Sequence, residues 1–295
     1  MNNNPIYVTI GIPIYNAEKY IEKTIKSILI QKYIYWELIL IDDGSTDNSL
    51  KIARSFEDSR IRIITDGKNK KLPYRLNQII HEAKYDYIAR MDADDLIPND
   101  RIEKQMEFLI QNPQYDLVST SILSIKNDDT LNGLRTYHTK KISKKDALLG
   151  KTGIVHASII AKKNWCKRNL YNETALLAED YDLWFKAATN NDLNIGFLPA
   201  YLYYYREENN VTKQKMLQSY NTQLNVIKHN HKEIVNTLEY IKIIFNLQLK
   251  KTIVRVASSL NAMSIIYKKR NPEPVTNEIK KEYNKQLNLI NKFKL

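Results

Sequence analysis

Cysteine occurs once in 295 residues, as Cys166. That excludes an internal disulfide framework and a thiolate zinc cluster, and leaves Cys166 as a small, inert side chain. Glycine occurs only seven times. None of the seven builds G-x-G-x-x-G behind a first strand or GxxxxGK[ST], so neither a dinucleotide turn nor a P-loop can cradle phosphate. No apolar run approaches the roughly 18–20 residues that cross a bilayer. The opening MNNNPIYVTI lacks the basic start and apolar core of a secretory leader, and a cytoplasmic location is expected. Acid is scarce late in the chain: residues 213–295 hold 16 Lys and Arg against 5 Asp and Glu, a net of +11, whereas 29 against 28 precede them. The formal charge of +12 therefore belongs to one segment and describes organisation first. Those cations follow no recognised nucleic-acid motif and no stacking platform interleaves them, so no nucleic-acid partner is expected.

What is present is alternation. The β-branched run IYVTIGIPIY reads as a buried first strand. NAEKYIEKTIKSILIQ follows, with Ile21, Ile25, Ile28 and Leu29 at helical spacing. WELILIDDG is a second strand, and STDNSLKIARSF a helix capped by Ser45 or Thr46. RIRIIT is a third strand, with a helix over Leu76 to Ala83. YDYIARMD is a fourth strand and PNDRIEKQMEFLIQ a fourth helix, with Asn99 or Asp100 as its cap. This spacing gives a parallel, doubly wound α/β sheet. Such sheets bind ligands beyond the carboxyl ends of their strands. Pro13 and Tyr15, Asp42 and Asp43, and Asp92 to Asp95 therefore gather at one edge. Further strands are expected in DLVSTSILSI, GIVHASIIAKK and IGFLPAYLYYYREENN, and a helix in TALLAEDYDLWFKAAT with paired acids at its start. From Thr212 onward glycine is absent and three helical segments follow, one marked by a stripe of Ile253, Val256, Leu260, Met263 and Tyr267. Residues 1–212 read as one α/β domain and 213–295 as a basic helical extension.

Asp92 and Asp94, at i and i+2 on an extended segment, share a face. Two hard oxygen ligands with open positions suit Mg²⁺ or Mn²⁺ held jointly with phosphate. The competing reading is an Asx turn and helix cap. Asn99 and Asp100 already stand before Arg101 for that task, which leaves the upstream acids without it.

VTIGIPIYNAEKYIEKTIKSIL, WELILIDDGSTDNS, YIARMDADDLIPNDRIEKQMEFL and LAEDYDLWFKA together resemble the family-2 glycosyltransferases, in family order and spacing over residues 6 to 212. The resemblance implies a GT-A fold, a Rossmann-like and mainly parallel sheet flanked by helices. It implies a nucleotide-sugar donor, for which a UDP-sugar is expected, with a divalent metal, Mn²⁺ or Mg²⁺, and inversion at the anomeric carbon. It places Pro13 and Tyr15 against the nucleotide base and Asp42 on the uracil ring, with Asp43 orienting the GSTD turn. Asp92 goes to the ribose, Asp94 to the metal, and Asp95 to the turn. Asn77 stands beside the nucleotide; Arg75 joins it, although YRLN replaces the usual Ala-Arg-Asn. In AED, Asp180 is the base that takes the acceptor proton, with Glu179 the runner-up. The competing reading is that acids at a helix start complement the macrodipole.

Two departures bear on the site. HAS at 156–158 stands where relatives carry HPS, and His156 either faces donor or acceptor or is a satisfied, partly buried histidine. YREE at 205–208 replaces YR-x-H. There Glu207 or Glu208 touches the metal or an acceptor hydroxyl, or the loop stands apart, and Arg206 is expected to meet the diphosphate with its fork of donors. The resemblance implies an acceptor that is a glycan, a lipid-linked sugar or a polyol phosphate of a surface polymer. The basic extension is drawn to an anionic lipid face or charged polymer, or is a solvated helical cap that mediates self-association. Two other classes share the topology: a metal-dependent nucleotidyltransferase, and a silent module binding anionic polymers. A silent module needs neither D-x-D nor AED.

Overall fold

The computed structural model describes residues 5–138, 140–208, 212–260, 262–263, 266 and 273–294. Strands β1 (Val8–Ile14), β2 (Trp36–Asp42), β3 (Ile61–Thr65) and β4 (Tyr87–Arg90) run parallel in the order β3-β2-β1-β4. β1 and β2 are aliphatic and buried on both faces, as strands covered by helices require. Helices α1 (Ile21–Leu29), α2 (Ser49–Arg54), α3 (Leu72–Glu82) and α4 (Arg101–Gln111) make the crossovers. α1 buries Ile21, Ile25 and Ile28, one face of a 3.6-residue period. α3 lies so close on β1 that a β-carbon at Gly11 would sit 2.3 Å from Ile79 Cγ2, an approach that glycine alone permits. α3 starts four residues before the expected Leu76, because Pro73 occupies its first turn, where a missing N–H costs nothing.

The second half of the sheet is mixed. β5 (Leu117–Ile125), β6 (Leu131–Arg135), β7 (Ile160–Lys162) and β8 (Ile195–Arg206) complete the order β3-β2-β1-β4-β7-β5-β6, with β8 paired to β5. β7 is antiparallel to β4 and β5, and β6 to β5. The mainly parallel sheet expected from the sequence thus carries antiparallel strands in this half; residues 126–130 are too few for a parallel crossover and close a hairpin. The expected strand GIVHASIIAKK is mostly not one. His156–Ser158 form a 3₁₀ turn, held by the Ser158 hydroxyl on Val155 O at 3.0 Å, and β7 keeps three residues. β8 is kinked by extra residues around Pro199 and Ala200, where its register against β5 shifts, and such a bulge re-aims the side chains beyond it.

Short helices α5 (Lys144–Leu148) and α6 (Lys163–Arg168) precede α7 (Glu179–Thr189). The expected caps differ in detail. Asn48 stands at the start of α2 and Asp100 at the start of α4, neither with a capping side-chain bond; Asp100 instead pairs with Lys104 at 2.6 Å. Cys166 is buried, and burial pushes its thiol up to about 12.

The last three helices are α8 (Lys213–Asn230), α9 (Thr237–Ser259) and α10 (Asn277–Lys292). α8 and α9 share a small core of Leu224, Ile227 and Leu247. α10 returns to the sheet, burying Tyr283 and Ile290 against Leu96, Leu123, Leu134 and Tyr204. The change in composition at residue 212 is thus not a gap in packing. Of the apolar stripe, Ile253, Val256 and Leu260 are exposed, and Tyr267 lies outside the described residues. No described helix is long and apolar enough to cross a membrane.

Candidate active site

The loops after β1, β2 and β4 open onto one cleft of about 810 Å³, walled also by the start of α7 and the first turns of α8. The β1–α1 loop is laced to GSTDNS. Asn16 N donates to Ser45 Oγ at 3.2 Å, Ala17 N to Ser49 Oγ at 2.7 Å and Glu18 N to Asp47 Oδ2 at 3.0 Å. Tyr15, 53% exposed, stands free at the strand end beside Pro13, and both line the cleft. Asp42 is buried and accepts from Ser45 N at 3.1 Å and Thr65 Oγ1 at 3.0 Å. Holding the GSTD turn is therefore Asp42's task. Asp43 borders the cleft and accepts from Lys70 N at 2.7 Å, Lys71 N at 3.1 Å and Arg75 Nε at 2.8 Å.

The D-x-D turn is gripped at every residue. Asp92 N donates to Tyr203 Oη at 3.1 Å. Thr24 Oγ1 reaches Ala93 O at 3.0 Å and Asp95 O at 2.9 Å. Arg206 Nε donates to Asp94 O at 2.7 Å. Asp95 is fully buried and accepts from Tyr203 Oη and Arg206 N, each at 2.7 Å. Burial, with Asp94 and Asp92 adding repulsion, raises its carboxyl well above the ordinary range. Asp95 thus serves the turn, as expected, while Asp92 and Asp94 face the cleft. Asp92 is paired with Arg90 Nη2 at 2.8 Å. Among the described residues no group of three or more His, Cys, Asp or Glu is placed to hold a metal ion alone. A hard-oxygen donor at the cleft wall without a full cage fits a divalent cation shared with phosphate, as Mg²⁺ prefers.

α7 brings the second pair of acids. Glu179 lines the cleft; Asp180 follows on the same first turn and accepts from Tyr181 N at 2.7 Å. Burial raises both carboxyls, with Asp92 adding to it and Arg90 opposing. Arg90 is buried, and its Nε has no hydrogen-bond partner among the described residues; it is the cation shared by both acid clusters. Leu177, just before the pair, is 53% exposed at φ +62°. Asn16 and Lys71 also carry positive φ, at +50° and +75°, and all three line the cleft. Such strained backbone concentrates at functional sites.

Four expected site residues spend their polar atoms within the protein, although one of them, Arg75, also borders the cleft. Arg206 is 1% exposed, and its donors go to Asp94 O, to Lys126 O and to Asp129 Oδ1 at 2.6 Å. It cannot fork onto a diphosphate; it is the peg behind the D-x-D turn. Arg75 is fully buried, donating to Asp43, Asp66, Gln78 and Lys68 O, and positions the loop that ends at Lys71. Asn77 staples α3 to Tyr171 N and O and to Glu173, at 2.9 to 3.0 Å. His156 is buried against Trp184 and Tyr171, with Nε2 2.6 Å from the tyrosine hydroxyl. Burial, then Arg90, hold it well below its usual range; it is the satisfied, neutral histidine. Glu207 pairs with Arg135 at 2.9 Å and Glu208 accepts from Asn127 N at 2.8 Å, so both turn to the β5–β6 hairpin. Among the residues not foreseen on the cleft are the polar Asn16, Asn69, Lys71, Lys215 and Gln218. Arg206→Ala is expected to destabilise the fold by about 2–4 kcal/mol, because the buried carbonyls of Asp94 and Lys126 lose their donor and Asp129 keeps only the part-exposed Lys23 as its partner. An unchanged urea midpoint would contradict that role.

Residues 9–171 match Glycosyl transferase family 2. EpsE from Bacillus subtilis (strain 168) is 33% identical over 222 residues, which are 73% of this chain and 78% of EpsE. The UDP-Glc:alpha-D-GlcNAc-diphosphoundecaprenol beta-1,3-glucosyltransferase WfgD of Escherichia coli is 29% identical over 194 residues, 65% of this chain and 74% of WfgD. Mannosyltransferase PcManGT from Pyrobaculum calidifontis, solved in complex with GDP-Man and Mn²⁺, has a TM-score of 0.60 at 16% identity, covering 98% of this chain and 86% of that one. At that identity the likeness is one of fold. The chain belongs to glycosyl transferase family 2, and its mixed, mostly parallel sheet flanked by helices is the GT-A fold.

Proposed function

We propose that the protein moves a sugar, with inversion, from a UDP-sugar to a hydroxyl of a lipid-linked or polymeric surface glycan. The observation that carries this reading is the convergence of Tyr15, Asp92, Asp94 and Glu179 on one cleft. UDP is preferred to GDP because WfgD, named for UDP-Glc, is nearer to this chain in sequence than PcManGT, solved with GDP-Man. The base lies against Pro13 and Tyr15, whose exposed ring offers a stacking face, with Asp42 and Asp43 fixing the loops behind it. Asp92 meets the ribose. Asp94 would hold a divalent cation, Mn²⁺ or Mg²⁺, which would supply charge to the leaving diphosphate, and Lys71 and Lys215 stand on the same cleft.

The acceptor oxygen attacks C1 from the face opposite the diphosphate. The C1–O bond breaks and its electron pair leaves with UDP, while the hydroxyl proton passes to the Asp180 carboxylate. Burial brings that carboxylate's pKa up toward the working pH, which suits a general base. Glu179 on the cleft wall accepts a hydrogen bond from the acceptor. The test is a UDP-release screen across sugar nucleotides with Mn²⁺ or Mg²⁺ and a GlcNAc-diphosphoprenol acceptor. UDP release and a product of inverted anomeric configuration are expected. Pyrophosphate release, release from GDP-mannose alone, or retention would overturn the reading.

A further inference from the structure

α9 is apolar on two opposite sides. One side, with Ile243, Ile244 and Leu247, packs into the core shared with α8. On the other, Leu238, Ile241, Phe245, Leu249, Ile253 and Val256 recur every three or four residues and continue into Leu260, at 47% to 73% exposed. With a rise of about 1.5 Å per residue the stripe runs roughly 33 Å. A contiguous apolar face of that length is a contact surface and not ordinary solvated helix. We propose that this face of α9 docks the protein on an anionic lipid bilayer, the helix lying in the plane of the headgroups.

Charge selects the occupant. Lys242 lies on the stripe's side of the helix, and Lys250 and Arg255 flank it. Glu239 is the single acid of the α9 sequence, and it is paired with Lys145 at 2.6 Å. An apolar face bordered by cations is the pattern of an interfacial helix that meets anionic lipid. A second copy would bring two segments of net +11 face to face, with no acid on the stripe to offset their repulsion. The helix does not span, since no described helix is apolar enough to do so. α8 packs on the inner side of α9, and its Lys215 and Gln218 line the cleft. Docking through α9 therefore brings the cleft near the headgroups, where a lipid-linked acceptor presents its sugar. That last step alone rests on the transfer reading.

The test uses the full chain and vesicles of phosphatidylcholine, with or without phosphatidylglycerol, in a flotation assay. The wild type is expected to float with the anionic vesicles and to stay behind with the neutral ones. Phe245→Glu with Leu249→Glu should lower that partition by about tenfold or more, with an unchanged circular dichroism spectrum and UDP affinity. Lys242→Glu with Arg255→Glu leaves the stripe intact and should also lose the anionic vesicles. Flotation of either double variant at the level of the wild type, or no flotation of the wild type, overturns the proposal. So does a wild-type dimer that the first double variant dissolves, which would assign the face to a second copy. Because no sugar nucleotide is present, the result is independent of the transfer reading.

Discussion

Asp180→Asn is expected to slow sugar transfer by about 10²- to 10⁴-fold, the usual contribution of a positioned base, while UDP binds as before. The amide keeps the shape of the carboxylate and can still accept from Tyr181 N, whose bond to Asp180 Oδ1 is 2.7 Å. What it cannot do is take a proton. Glu179→Gln, on the cleft wall, should cost only about tenfold, the worth of one charged hydrogen bond. Single-turnover rates and calorimetric UDP affinities on both variants separate the two acids. Full turnover in Asp180→Asn would sink the assignment, and a larger loss in Glu179→Gln would move the base to its neighbour. The pH profile follows from the same burial. A base must be deprotonated to act, and burial raises Asp180 above the ordinary carboxylate range. The kcat/KM of the wild type should therefore rise with pH through a midpoint above that range, and the limb should vanish with the Asn variant.

Asp94→Ala is expected to weaken UDP binding in the presence of Mn²⁺ by about 10- to 100-fold. The distinguishing control is chelation. EDTA should bring the wild type to the affinity of the variant and leave the variant unchanged. The turn itself should survive, because its backbone is held by Thr24 on Ala93 O and Asp95 O, by Arg206 on Asp94 O and by Tyr203 on Asp92 N. The lost affinity then reports the carboxylate and not a collapsed loop. An unchanged calorimetric Kd would contradict the metal assignment of Asp94.

Much of this was legible in the chain itself. Runs such as WELILID announce a buried strand, the period of Ile21, Ile25 and Ile28 announces a helix, and the acids at i and i+2 announce a shared face. What stayed hidden depended on distant partners. Arg206 looked like a diphosphate ligand because it stands where relatives carry YR-x-H and its fork of donors can meet two oxygens. Its real neighbours, Asp94, Asp95 and Asp129, come together only through the pairing of β8 with β5 and the shift around Pro199. Arg75, Asn77 and His156 were placed by motif in the right region, yet their polar atoms are already met by Asp43, Asp66, Tyr171 and Glu173. Lys71 and Lys215 sit in lysine-rich stretches that mark neither apart. One missed element did carry a signal: Ser143 and Asp146 form the capping box of α5, a pattern of Ser followed three residues on by an acid.

The grip on the D-x-D turn reaches much further along the chain. Asp129, which pins Arg206 at 2.6 Å and is itself paired with Lys23, offers its carbonyl to Tyr283 Oη, also at 2.6 Å. The seat of residues 92–95 is thus closed by α10, whose Tyr283 lies 154 residues beyond Asp129. A nascent chain leaves the ribosome with β1 to β4 first, at about 5–20 residues per second. For roughly ten seconds or more after Asp94 has emerged, on that rate, the turn is present without its finished support. The support of the turn is therefore complete only once α10 has been made and packed.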